Sequence, residues 1–184
     1  MKRTRKQLKA TAYHEAAHAV IGRVLTLHCG RATIRPNYML AEAGHAITHD
    51  DYATLSEWEK RGHVRDSQDA VWHARIITYM AGAETEMILL GSQSVGDSDD
   101  RYQIELMAES NLHRDTDWSK LEPRLRKMTR MLVRRHRARI ERVARTLLAK
   151  TTVSARTLDK IVGRSVNDVR VNAPFLLAMH RERR

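Results

Sequence analysis

Thr11-Ala-Tyr-His-Glu-Ala-Ala-His-Ala-Val-Ile-Gly22 decides how this chain is read. Residues Tyr13, Ala16, Ala17, Val20, Ile21, Val24 and Leu25 recur at helical spacing, which predicts a helix from about Leu8 to about Leu27, mostly buried on one side. Within it His14 and His18 stand four apart. Residues four apart on a helix lie one above the other on one face, so the two imidazoles converge on a single point. That is the HExxH pattern, in which two histidines bind one ion at about 2.0–2.1 Å. Glu15 lies about 100° round the helix. It is out of line with the ligands but within reach of a metal-bound water, from which it would take a proton. With 10 His among 184 residues, chance placement of this pattern is expected roughly 0.03 times in the chain.

Zinc used for hydrolysis keeps three protein ligands and one open position. Spacing leaves the third ligand open among Glu84 and Glu86, Asp97, Asp99 and Asp100, and His45 or His49.

Outward from the motif, the pattern is mainly α. Arg31 to Pro36 and Gly44 to Thr48 read as short extended segments that pair into a small β ribbon. Helices are predicted over about Ser67 to Leu90, ending at Gly91, and about Asp100 to Leu112, capped by Ser98 or Asp99. Leu121, Leu125, Met128, Leu132, Ile140, Val143 and Leu147 mark one long amphipathic helix, with His136 filling the gap in its stripe at a helix–helix boundary. A last helix spans about Ala155 to Val162 behind Ser154. The sequence reads as one domain, with a basic extension over residues 1–10 and a tail over 171–184 that gives no signal. His28 and Cys29 read as packing residues, and His45 and His49 as surface residues. Few Gly and Pro, and only 5% aromatics, place aliphatic residues, Ala and Met in the core of a helical bundle.

The charge is +11. Between Lys120 and Lys150 twelve Lys or Arg face two acids. Such a stripe is either a solvated helix face or a surface for nucleic acid, an acidic partner or an anionic membrane. One cysteine excludes an internal disulfide and fits a reducing compartment. No apolar run is long enough for a membrane span and no apolar core follows the basic N-terminus, so a cytoplasmic protein is expected.

TAYHEAAHAVIG resembles the peptidase segment of the FtsH-type ATP-dependent zinc proteases, whose usual form is AYHEAGHA. ATIRP (32–36) is similar to the strand after that family's first helix, and MAGAETEMILLG (80–91) to its GGRAAEEIIFG segment. GDSDDRYQI (96–104) resembles GASNDIEQA, and residues 130–162 look like its closing helices. The resemblance runs in order from about Thr11 to Val162. It implies an FtsH-like peptidase domain and a zinc-dependent endopeptidase acting on unfolded or flexible polypeptides. It also implies His14, His18 and Asp100 as ligands with Glu15 as the base. Glu86 matches a family Glu and is the second choice as ligand, or the partner of a ligating His. Ala17 stands where the family has Gly, and Asp50 to Asp69 matches nothing. The 184 residues contain no GxxxxGK[ST] phosphate loop. The expectation is therefore a stand-alone peptidase, or one served by an unfoldase in trans, with assembly of several copies as a further expectation. The Arg31–Arg35 strand is expected to offer an edge to an extended substrate. The competing reading is a retired peptidase fold that binds nucleic acid or an acidic partner through its basic helix.

Overall fold

A computed structural model describes residues 3–25, 27, 29–36, 43–48, 56, 66–92, 98–110 and 116–163. His28, His49, Asp97 and the tail over 171–184 lie outside these residues.

Helix α1 spans Arg5–Val24, starting three residues before the predicted boundary and taking in residues 5–10 of the supposed extension. Its start is fixed by a capping box. The Gln7 amide donates to Thr4 Oγ1 at 3.2 Å, and the Thr4 amide donates to Gln7 Oε1 at 2.8 Å. Ala12, Ala16, Ala17 and Ala19 are wholly buried. Because they carry only methyl groups, neighbouring backbones approach α1 closely, and α1 becomes the central rod of the bundle.

The ribbon is a three-stranded antiparallel sheet of β1 (Cys29–Thr33), β2 (His45–Thr48) and β3 (Thr152–Val153), ordered β2-β1-β3. Ala32 faces Ala46 on one side and Val153 on the other, with an irregularity in β1 between Cys29 and Ala32. The expected substrate edge on Arg31–Arg35 is therefore corrected. β1 is the central strand, and β3 continues its cover, with the Ile34 amide donating to the Thr151 carbonyl at 2.9 Å. The sequence did not announce β3, a two-residue strand between two helices.

Helix α2 runs over Asp66–Thr85 and continues as a wider π turn, Glu86–Leu90, closed by Gly91 at φ 72°. That positive φ is the left-handed conformation in which glycine terminates helices without strain. Helix α3 covers Ser98–Ser110. The stripe read as one long helix is two, α4 (Trp118–Arg135) and α5 (Arg137–Lys150), joined at His136 with φ −104° and ψ 14°. The break has a packing cause. The apolar face of α4 lies on α2, whereas that of α5 lies on α1, so the chain changes direction between Val133 and Ile140. Ser154 caps α6 (Ala155–Val162) by accepting from the Thr157 amide.

One buried apolar cluster joins these helices, with Ile21 from α1 and Leu25 at its C-terminal cap, Ile76 and Met80 from α2, Leu125 from α4, and Ile140 and Leu147 from α5. Each such aliphatic side chain contributes about 1.5–3 kcal/mol when buried. Arg23, itself buried, ties α1 to α6 through Asp159 and the Ala155 carbonyl. Glu84 ties α2 to α4. Arg130 donates to both its oxygens at 2.8 and 3.2 Å, and Arg126 lies 3.6 Å away.

Candidate metal centre

His14 and His18 project from the buried face of α1 toward α2, and the first turn of α3 brings Asp100 over them. His14 Nε2 lies 2.8 Å from Asp100 Oδ2, and His18 Nε2 lies 3.2 Å from the same oxygen. The imidazole rings are 4.6 Å apart, nearly perpendicular at 78°. His14, His18 and Asp100 form a group of the kind that holds a metal ion. Ligands of a tetrahedral ion at 2.0–2.1 Å are spaced about 3.3 Å from one another. The two N–O separations lie inside that value, as hydrogen bonds between the same atoms would, and all three ligand atoms lie within 4.8 Å of one another.

The opposite ring nitrogens are also held. His14 Nδ1 is 2.8 Å from Glu86 Oε1, and His18 Nδ1 donates to the Thr78 carbonyl at 2.7 Å. These bonds place the Nδ1 proton and leave each Nε2 to the shared point, the arrangement by which metal-ligating histidines are oriented. All four polar partners sit in low dielectric, with His14 and His18 8% exposed and Glu86 1% exposed.

Burial alone would lower the His14 pKa. The hydrogen bonds to Asp100 and Glu86 and the charge of Glu15 outweigh it and push the imidazole up to about 10. His18 is likewise raised against burial, chiefly by the charge of Asp100. Burial would raise the Asp100 carboxyl, but the two imidazoles hold it well below the usual carboxylate range. The field of the centre thus favours protonated imidazoles around an anionic Asp100 oxygen.

Glu15 is buried beside this group, and its charge acts on both histidines. Its wall is built by backbone. A Cβ on Gly44, just before β2, would lie 3.0 Å from Glu15 Cγ and 2.6 Å from the Thr33 carbonyl oxygen. A Cβ on Gly82 would lie 2.5 Å from His14 Cε1 and Nε2. Glycine at 82 is thus what lets α2 come close enough for Thr78 and Glu86 to reach the imidazoles.

No protein-family model matches the chain, and no curated protein matches it. The centre therefore stands on its own geometry.

Of the described residues offered as third ligand, Asp100 is the one brought to both Nε2 atoms. Glu86 lies on the far nitrogen of His14, in the alternative role of partner to a ligating His. Glu84 is corrected out of the site, since it serves the α2–α4 arginines. Asp99 is exposed one residue from Asp100, and His45 lies on β2, outside the convergent group. Sequence reasoning missed Gly82 and the Thr78 carbonyl. A glycine inside an otherwise helical, Ala-rich run was a usable sign of close approach; a backbone carbonyl carries no residue signature at all.

Proposed function

We propose that this chain is a zinc-dependent endopeptidase, of the FtsH-type peptidase kind, that hydrolyses unfolded or flexible polypeptides. The observation that supports it is the convergence of His14 Nε2 and His18 Nε2 on one Asp100 oxygen with Glu15 buried alongside. Two neutral imidazoles and a carboxylate are a donor set suited to zinc that leaves a fourth position for chemistry. Bound there, zinc supplies Lewis acidity and lowers the pKa of a water.

The chain's own residues do the rest. Glu86 and the Thr78 carbonyl orient the two rings. Glu15 takes the proton of the attacking water and passes it to the leaving amine nitrogen. The Ala and Gly residues around α1 exclude bulk water, which strengthens each charge interaction in the site. Beside Glu15 begins β2, which borders the sheet on the side away from β3. An extended polypeptide adding to β2 through main-chain hydrogen bonds would run past Glu15, a mode that demands unfolded substrate and reads little of its sequence.

The test is metal analysis of the purified chain and of Glu15→Gln, followed by hydrolysis of an unfolded casein substrate. Wild type and variant are expected to hold one zinc each, with turnover in the variant reduced at least roughly 100-fold, the scale of a lost general base. Equal turnover removes Glu15 as the base; zinc absent from both removes the metal hydrolase.

A further inference from the structure

The bundle leaves one surface with no part in the proposed hydrolysis. α4 and α5 bury Leu121, Leu125, Leu132, Ile140, Val143 and Leu147, and turn their opposite faces to solvent. On those faces Arg124, Lys127, Arg130, Arg134, Arg135, Arg142 and Lys150 are exposed. The two acids of this stretch are already engaged, Glu122 with Arg126 at 2.7 Å and Glu141 with Arg137 at 2.7 Å. Among the described residues no carboxylate pairs with Lys127, Arg134, Arg135 or Arg142. Like charges three and four apart on a helix destabilise it. Arg139 with Arg142 is such a pair, whereas Arg130 is balanced by Glu84. Beyond the Arg126–Glu122, Arg130–Glu84 and Arg137–Glu141 pairs, the ridge carries positive charge that an external anion would balance.

We propose that the outer ridge of α4 and α5 docks duplex nucleic acid through its phosphates. Three observations select this occupant. Lys120, Lys127 and Arg134 recur every seven residues, about 10.5 Å apart, giving a linear row rather than a pocket. Along α4 alone, Lys120 to Arg135 spans about 22 Å, the axial length of ~7 base pairs. No aromatic residue occurs between Ser119 and Lys150. Without aromatic platforms for unstacked bases, single strands lose their usual anchor, and backbone charge remains as the determinant. An anionic membrane fits less well, because the apolar faces of both helices are spent on the core and only Met131 and Leu148 stand exposed on them. Arginine predominates over lysine, which favours forked contacts to phosphate oxygens. The result is sequence-independent binding, strongly dependent on salt.

The experiment is fluorescence anisotropy of a labelled mixed-sequence 16-base-pair duplex against the full chain over a salt series. Six phosphate contacts predict a slope of log K on log salt of roughly −5. The triple variant Lys127→Glu, Arg134→Glu, Arg142→Glu is expected to bind at least tenfold more weakly at 100 mM salt, with the slope smaller by about 2.7. A second triple, Arg5→Glu, Arg156→Glu, Lys160→Glu, changes net charge equally but lies outside α4 and α5, and should retain most of the affinity. All six positions are exposed, and circular dichroism melts verify folding. Equal losses in the two triples would reduce the binding to diffuse net charge and overturn the proposal. So would tighter binding to polyglutamate or to phosphatidylserine vesicles than to the duplex. Because none of the altered residues touches the metal centre, the outcome is independent of whether the chain hydrolyses peptides.

Discussion

Gly82→Ala is the sharpest perturbation of the centre, because it adds one methyl group and no charge. That methyl would sit 2.5 Å from His14 Cε1 and Nε2 and 2.7 Å from Cδ2. Carbon atoms in contact rest at about 3.5–4.0 Å, so ring and backbone must separate by about 1 Å or more. α2 is pinned on its other side by the paired Glu84 and Arg130 and by the core residues Ile76, Ile77 and Met80. The ring is the softer member and turns away, taking Nε2 out of line with His18 and Asp100. Overpacking costs about 1–3 kcal/mol, and Ala in a helix interior gains back about 1 kcal/mol over Gly. The metal-free variant should therefore lose about 0–2 kcal/mol, a fall in Tm of no more than about 8 °C for a domain of this size. On the proposed reading zinc affinity should fall far more, by roughly 100-fold or beyond, since second-sphere changes alone cost 10–100-fold and here a proposed ligand itself is displaced. Competition with a chromophoric chelator measures the affinity, and calorimetric melts of the metal-free protein measure the stability. A variant that binds zinc as tightly as wild type and melts no lower would show that α2 does not set the His14 position.

Asp100→Asn keeps the shape and removes the anionic donor; zinc affinity read by the same competition should fall at least roughly 100-fold, and an unchanged value would remove Asp100 as third ligand. Binding should also release protons. His14 is held protonated in the metal-free protein up to about pH 10 and His18 is raised as well, whereas Asp100 is already ionised. At pH 7.5 at least one proton must leave per ion, so apparent affinity climbs about tenfold per pH unit per proton and levels near pH 10. Titration calorimetry in buffers of different ionisation enthalpy reads the count, and zero protons would place the ion elsewhere. In the metal-free protein the sign runs the other way. The raised His14 stabilises the fold fully below its unfolded value near 6.5, and that stabilisation is lost as pH rises through about 10.

The sequence disclosed what depends on spacing within one element. The four-residue spacing of His14 and His18, the Ala-rich flank of α1, the glycine stop at Gly91 and the Ser154 cap are all local consequences of helical geometry. Less was legible where two elements meet. The apolar stripe over Leu121 to Leu147 fits one helix, because periodicity records which side is buried and not which neighbour buries it. That α4 lies on α2 and α5 on α1 is a tertiary fact, and the turn at His136 follows from it. The central place of β1 was hidden for a related reason. Its second partner, Thr152–Val153, is too short to have a period of its own and is strand only because Ala32 and Thr33 lie opposite.

The same division runs through the metal centre. Residue chemistry nominated seven donors, and chain separation could not rank them: Glu86 and Asp100 lie 72 and 86 residues from His14. What ranks them is the end of the imidazole each one reaches. Gly82 and Glu86 are four apart on α2, so the residue that permits close approach and the residue that exploits it share one face. The carboxylate on that face meets Nδ1. Nε2 packs against Gly82 and is met by Asp100, in the first turn of α3. α3 brings Ile104 and Met107 into the core, and Asp100 adds contacts from its first turn to both imidazoles of α1, so replacing Asp100 should loosen α3 as well as the candidate centre.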